Sequence, residues 1–232
     1  MTNKNPDIAI ITAIYDKYDT LKPVLKQVDA NVEWILVTDS MIDTSAPDDD
    51  PVWGYSTVYA PKPGVHPNVA AKYPKMRPQD FTSAPKSVWI DASFRVVSES
   101  FARDILNILK SCDIAQFKHP WRDCIYQEAE ESLKLDKYAD VHQSIKFQME
   151  QYRRVYNHPK NWGLWATGVI ARNHTKKNRD IGMDWLEDNI NYSYQDQLSE
   201  AVHLRRNNTK PFELWGMHFV NPWLRYEGSG RH

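Results

Sequence analysis

The sequence is short of most features that identify a protein's chemistry at a glance. Only two cysteines, Cys112 and Cys124, occur among its 232 residues. Two are too few for a zinc cluster or a disulfide framework, and a reduced intracellular pair is the simpler reading. No apolar run approaches the roughly 18 residues needed to span a bilayer. The polar start, Met-Thr-Asn-Lys-Asn-Pro, lacks the apolar stretch of a signal peptide. Together these predict a cytoplasmic protein with no membrane partner. Neither sign of charge is in excess, with 29 basic against 30 acidic residues. That balance argues against tight non-specific binding to nucleic acid or to an anionic membrane. The P-loop, the dinucleotide fingerprint and the nucleophile elbow are also missing. Their absence argues against P-loop phosphoryl transfer and hydride transfer with a bound dinucleotide.

Aromatic residues, by contrast, are plentiful, with nine Trp and twelve Tyr. Such an excess lines sugar or base sites, or fills a large core. Apolar runs at 7–15, 34–39, 87–91 and 113–117 have the length and continuity of buried strands. Leu21, Val24, Leu25 and Val28 repeat at helical spacing, so a helix over Leu21–Val28 is expected after the first strand. A short strand is expected over Ser56–Tyr59, in a Pro- and Asp-rich loop spanning 40–66. Helices are expected at 67–79, from Ser98 onward, at Trp121–Leu135, Val141–Tyr156, 177–191 and 194–206. Strands are expected at Gly163–Arg172 and Phe212–Phe219. A β-α-β opening with strands alternating with helices reads as an α/β protein with a mostly parallel sheet.

Several polar groups fall at the carboxyl ends of these strands: Thr12 to Asp16, Asp39, Asp91 with Ser93, and His218. In an open α/β sheet those ends share one ligand-binding edge. Asp91 and His218 on that edge would suit a Mn or Mg ion. Each has a plainer alternative: Asp91 as the cap of a following helix, His218 as a hydrogen-bonded core histidine. Lys72, Lys75 and Arg77 form a cationic cluster suited to phosphate, or else a solvated helix face. The segment His119-Pro120-Trp121-Arg122-Asp123 groups side chains typical of a polar site. Asp196 sits in the first turn of a helix for which Ser193 would be a good N-cap.

The ordered set of motifs is more specific than any one of them. Thr12 and Tyr15 on an Ile-rich strand are followed by Lys72-x-x-Lys75 and Trp89-Ile90-Asp91-Ala92-Ser93. After these come His-Pro-Trp-Arg-Asp-Cys-Ile-Tyr-Gln-Glu-Ala (119–129), Gly-Leu-Trp-Ala-Thr-Gly-Val-Ile-Ala-Arg-Asn-His (163–174) and Tyr-Ser-Tyr-Gln-Asp-Gln-Leu-Ser (192–199). This pattern resembles the glycosyltransferase-like family that includes the plant mucilage-related and turgor-regulation proteins, itself similar to nucleotide-sugar transferases of the GT-A type.

The resemblance implies a GT-A-like, Rossmann-like mixed sheet flanked by helices in one domain, 1–232. A nucleotide-binding half would run to about 118, and an acceptor half over about 119–232. Asp91 matches the first acid of the Asp-x-Asp motif that holds metal and donor diphosphate. Ser93 stands at the third position, which implies a weakly held Mn or Mg. His218, ahead of Asn221-Pro222-Trp223, is similar to the metal-ligating His of glycogenin-type transferases. Asp196-Gln197 resembles the pair placed beside the transferred sugar, making Asp196 and Asp91 the implied catalytic residues. Thr12, Ala13 and Tyr15 fall where such folds contact the base, and Asp39 where they meet the nucleoside. Lys72, Lys75 and Arg122 are the implied phosphate contacts. The expectation is a transferase using a nucleotide-diphosphate sugar, with a glycan or a modified DNA base as acceptor. The alternatives are a ceramidase-like hydrolase and a non-catalytic sugar- or nucleotide-binding module.

Overall fold

The computed structural model describes residues 5–42, 44, 53–58 and 65–228. Tyr59 and much of the 40–66 loop, about which the sequence makes expectations, lie outside the described residues. Nine strands and six α-helices are described: β1 (Ile8–Ile14), β2 (Val32–Thr38), β3 (Gly54–Val58), α1 (Pro67–Met76), β4 (Lys86–Ile90), β5 (Phe94–Val96), α2 (Phe101–Ile108), β6 (Ile114–Lys118), α3 (Ile125–Ser132), α4 (His142–Arg154), β7 (Trp165–Asn173), α5 (Lys176–Asn191), α6 (Gln197–Arg206), β8 (Phe212–Glu213) and β9 (Leu224–Tyr226).

Seven strands make one sheet in the order β3-β2-β1-β4-β7-β6-β8, and β5 pairs with β9 beside it. Neighbours β3, β2, β1 and β4 are parallel, whereas β7 runs antiparallel to both β4 and β6. The strand order reverses after β1: β2 and β3 build outward on one side, and β4 returns on the other. In open α/β sheets ligands bind at such a reversal, outside the carboxyl ends of the strands, here those of β1 and β4. The antiparallel β7 belongs to the later half of the chain and completes the sheet of the earlier half.

The strands are apolar on both faces because both are covered. Ile8, Ile10, Val88 and Ile90 pack on one side with Phe101 and Ile105 of α2. Ala9, Ile11, Trp89 and Ile170 pack on the other with Ile181 and Trp185 of α5. A third apolar cluster, with Ile125, Ile145, Tyr152, Leu198 and Val202, joins α3, α4 and α6.

Two expected elements differ. Residues 21–28 are not helical. Pro23 lacks an N–H and disfavours the helical region for Lys22; Leu21 and Val24 nevertheless pack on the core. The strand expected over Phe212–Phe219 is confined to Phe212–Glu213. Beyond it, Met217 and Val220 exchange backbone hydrogen bonds of 3.0 and 2.9 Å, closing a tight turn with His218 and Phe219 at its corner. Gly216 has φ +82, and a Cβ there would stand 2.4 Å from the Val220 carbonyl oxygen. That turn, rather than a strand end, presents His218.

Candidate active site

The site is built from Asp91 outward. Trp89 and Asp91 lie two positions apart, so their side chains leave the chain on the same face. The Trp89 indole N–H donates to Asp91 Oδ1 at 2.7 Å. The Asp91 backbone N–H donates to the Gly168 carbonyl at 2.8 Å, and the Asp91 carbonyl accepts from Phe94 N at 2.9 Å. Asp91 therefore starts a turn into β5 rather than capping a helix. Gly168 makes room for it: a Cβ on Gly168 would lie 3.1 Å from Asp91 Oδ2 and 3.1 Å from the Phe94 ring. The Asp91 side chain remains 41% exposed at the sheet edge.

Lysines from α1 meet this carboxylate. His66 caps the helix by accepting from Asn68 N. The helix end is fixed by the buried Arg172 of β7, which donates to the Lys75 carbonyl at 2.9 Å. Gly182 of α5 allows the close approach there, since a Cβ would lie 2.1 Å from the Met76 carbonyl oxygen. Lys75, 3% exposed, sits between two carboxylates, 2.7 Å from Asp196 Oδ2 and 3.2 Å from Asp91 Oδ1. Lys72 lies 3.2 Å from Asp196 Oδ1 and donates to the Tyr194 carbonyl. The result is a chain of alternating charge, Lys72–Asp196–Lys75–Asp91, that ends at the rim. Lys75 is not on a solvated face. Arg77 is turned away and paired with Asp80 at 2.7 Å.

Burial alone would lower the Lys75 pKa, but Asp196 and Asp91 outweigh it and raise it to about 12. Burial would raise Asp196, yet Lys72 and Lys75 hold it well below the usual carboxylate range. Lys72 is lowered by burial, which Asp196 offsets only in part. Both Asp196 oxygens are engaged and the residue is 5% exposed. Each Asp196 oxygen thus faces a lysine, and its geometry is that of a clamp on Lys72 and Lys75.

The segment bearing Asp196 is pinned along its length. Ser193 Oγ donates to Gln148 at 2.7 Å rather than capping α6. Tyr194 stacks on His66 at 4.6 Å. Gln195 donates to Glu128 and Ser132 at 3.3 and 3.1 Å, and Asp196 O accepts from the Trp185 indole at 2.8 Å. Glu128 also pairs with Nε of Arg122, the residue implied as a phosphate contact, at 2.5 Å.

His218 adjoins Asp91 electrostatically; burial lowers its pKa and Asp91 opposes the fall. Its Nδ1 is buried with no hydrogen-bond partner among the described residues. Asn221 holds the turn, donating to the Met217 and His218 carbonyls at 3.1 and 2.9 Å while accepting from Trp223 N and Leu224 N.

The residues implied as nucleoside contacts are less open than the sequence implies. Thr12 lies within β1 at 1% exposure, its hydroxyl unpartnered among the described residues. Tyr15 is packed in the core. Ala13 is half-buried. Asp39 Oδ2 accepts from Asp16 N at 3.0 Å, steadying a turn in which Asp16 and Lys17 have φ of 50 and 51. Ser93 is 8% exposed, its carbonyl accepting from Glu227 N at 2.7 Å.

Reading the sequence alone misses Trp89, Gly168, Glu128 and Asn221 as parts of this site. Trp89 is within reach, because strand periodicity sets it beside Asp91; Glu128 carries no local signal.

No described helix is long and apolar enough to cross a membrane. No curated protein matches the sequence. Among solved structures, the apo form of the bifunctional glycosyltransferase WbbM is similar at 12% identity and a TM-score of 0.52, over 92% of this chain and 40% of that one. This chain thus spans well under half of that protein's length, and the likeness speaks to fold alone. The galactosyltransferase LgtC, solved with donor and acceptor sugar analogs, aligns at 10% identity and a TM-score of 0.43, over 84% of this chain and 69% of that chain. Mouse xyloside xylosyltransferase 1, in its apo form, aligns at 8% and 0.43, over 90% of this chain and 84% of that chain. The family model described as TOD1/MUCI70, glycosyltransferase-like domain, matches residues 1–219. The chain therefore belongs to the TOD1/MUCI70 family, its glycosyltransferase-like domain laid out on a GT-A-like fold.

Proposed function

We propose that the protein transfers a sugar from a nucleotide-diphosphate donor bound at the carboxyl ends of β1 and β4. The observation that carries this reading is the buried charge chain from Lys72 to Asp91. It fixes a charged lysine just behind Asp91, the carboxylate at the sheet edge where a diphosphate would lie. In this reading the base and ribose lie over Ala13 and Asp39, with Thr12 and Tyr15 supporting them from within the fold. The diphosphate lies against Asp91, within the field of Lys75. Ser93 shapes the turn beneath it.

A divalent cation fits this site in a limited way. Asp91 Oδ2 is not used by Trp89 or Lys75, and the neighbouring His218 has an unpartnered buried nitrogen. Among the described residues no group of three or more His, Cys, Asp or Glu side chains is placed to hold a metal. Asp91 and His218 would therefore hold Mn or Mg together with donor phosphate oxygens, as Mg is commonly held. When bound, the ion would stabilise negative charge on the departing diphosphate. Lys75 supplies part of that stabilisation without a metal, as a preorganised charge in a site of low dielectric. Asp196 is a positioning residue in this scheme, holding Lys75 on target. Burial raises the Glu128 pKa, with Arg122 opposing; Glu128 ties Arg122 to the Asp196 segment.

The test is thermal shift with UDP, GDP and their common hexose conjugates, with and without Mn. A ligand at about a hundredfold over its Kd adds about 2.7 kcal/mol, or about 5–11 °C in a chain of this size. At least one conjugate is expected to reach that shift, and Asp91→Asn to lose the Mn-dependent part. If no nucleotide or conjugate stabilises the wild-type protein, the proposal is wrong.

A further inference from the structure

From Phe94, whose N–H donates to the Asp91 carbonyl, a series of ring contacts runs out to solvent. Phe94, at the end of the Asp91 turn, meets His218 at 5.9 Å between centroids. His218 meets Phe219 at 4.7 Å, and Phe219 stacks on Trp121 at 5.8 Å with 27° between the planes. Trp121 in turn meets His119 at 5.8 Å. Trp121 is 71% exposed, although its backbone is firmly held. The amide N–H groups of Trp121 and Arg122 both donate to His119 Nδ1, at 3.4 and 3.0 Å. His119 N donates to the Leu164 carbonyl at 2.9 Å.

A large aromatic face displayed to water on a held backbone, in ring contact with the proposed donor site, is suited to stacking a ligand. We propose that the exposed face of Trp121, backed by Phe219, is the acceptor subsite and stacks against the C–H face of an uncharged pyranose. This rests on the transferase reading above and assigns its acceptor class.

The charge flanking Trp121 is balanced, exposed Lys118 on one side against exposed Asp123 on the other, which favours an uncharged ligand. Arg122 is neutralised by Glu128 at 2.5 Å. His119 Nδ1 accepts two N–H groups, which leaves that nitrogen unprotonated and the ring neutral. Asp123, two residues beyond, is exposed and would repel a phosphodiester. A nucleic-acid acceptor would call for free cations at these positions. A stacked neutral sugar calls for none.

Saturation-transfer NMR with methyl glucoside, galactoside and xyloside and the corresponding disaccharides tests this, run without nucleotide and with saturating UDP and Mn. A short single-stranded DNA oligonucleotide is the competing probe. The expected result is saturation on the ring C–H protons of at least one glycoside. Trp121→Ala should reduce it at least fivefold with Tm unchanged, whereas Trp215→Ala, at an equally exposed tryptophan outside the series, should retain it. The proposal is overturned by no glycoside signal under either condition, by a signal that survives Trp121→Ala, or by a Trp121-dependent signal from the oligonucleotide instead. Because one arm omits nucleotide and the UDP thermal shift is read separately, failure of the donor reading and failure of this subsite give different results.

Discussion

The ammonium of Lys75 stands 2.7 Å from the carboxylate of Asp196, a residue 121 positions later in the chain, and both are buried. Taking two charges out of water is costly, and their attraction compensates only while both partners are present. The pair is useful here because its other neighbour is the half-exposed Asp91. Lys75 thus carries a fixed positive charge to the place where a donor's phosphates would bring negative charge.

Asp196→Asn leaves Lys72 without its carboxylate and Lys75 with Asp91 alone. Loss of about 3–5 kcal/mol of stability is expected, read as a lower urea midpoint with an unchanged slope. Asp196 is held ionised by the lysines, so its contribution is present above the ordinary aspartate pKa of 3.8 and is lost as pH falls below it. The variant should therefore lose most at neutral pH and least in acid. Equal loss at all pH values would show that the carboxylate charge is not what matters.

Gly168→Ala places a methyl 3.1 Å from both Asp91 Oδ2 and the Phe94 ring, closer than most carbon contacts. A stability loss of about 1–3 kcal/mol follows from such overpacking. Asp91 should be displaced with it, so any nucleotide-sugar or Mn stabilisation should fall more than global stability does. Donor binding that survives in a folded Gly168→Ala protein would show that the position of Asp91 is not critical.

Glu200 of α6 is buried beside Gln116 and Arg172. Burial raises its pKa to about 7, with the Gln116 hydrogen bond and Arg172 opposing. Between the ordinary glutamate value of 4.5 and about 7 the folded protein keeps a proton that the unfolded chain has lost. This group's contribution therefore falls as pH rises across that window, by about 3 kcal/mol in all. Glu200→Gln, which keeps a hydrogen-bonding carbonyl, should flatten the pH dependence of Tm over that range. An identical pH profile in the variant would exclude Glu200 as its source.

How far the sequence foretells this arrangement depends on how local each cause is. β1, β2, β4, β6 and β7 are legible as apolar runs, because a strand covered on both faces has to be apolar throughout. Leu21–Val28 has helical spacing but no helix, since periodicity does not register what Pro23 does to the backbone. Asp91, Lys75, Asp196 and His218 can be singled out because they sit in motifs. Their roles are less legible. Nothing local to Asp196 says that each of its oxygens faces a lysine from α1, or that Arg122 pairs with Glu128. Those facts come from packing between α1, α3 and α6, which ordered spacing along the chain does not encode. His218 is delivered by a turn that Gly216 and Asn221 shape, a feature whose signal is two small residues in a stretch that otherwise reads as strand.

The place of β7 between β4 and β6 has a consequence for biosynthesis. As the chain leaves the ribosome, Asp91 emerges long before Gly168, which seats it, and before Asp196, which fixes its lysine. Until then β4 and β6 present unpaired edges, which invite association with other chains, and their closure awaits a contact distant in sequence, which forms slowly. A nascent chain halted anywhere before Asp196 would carry the carboxylate of the site without its setting. Synthesis order thus holds back the assembled charge chain until the sheet that supports it can be completed.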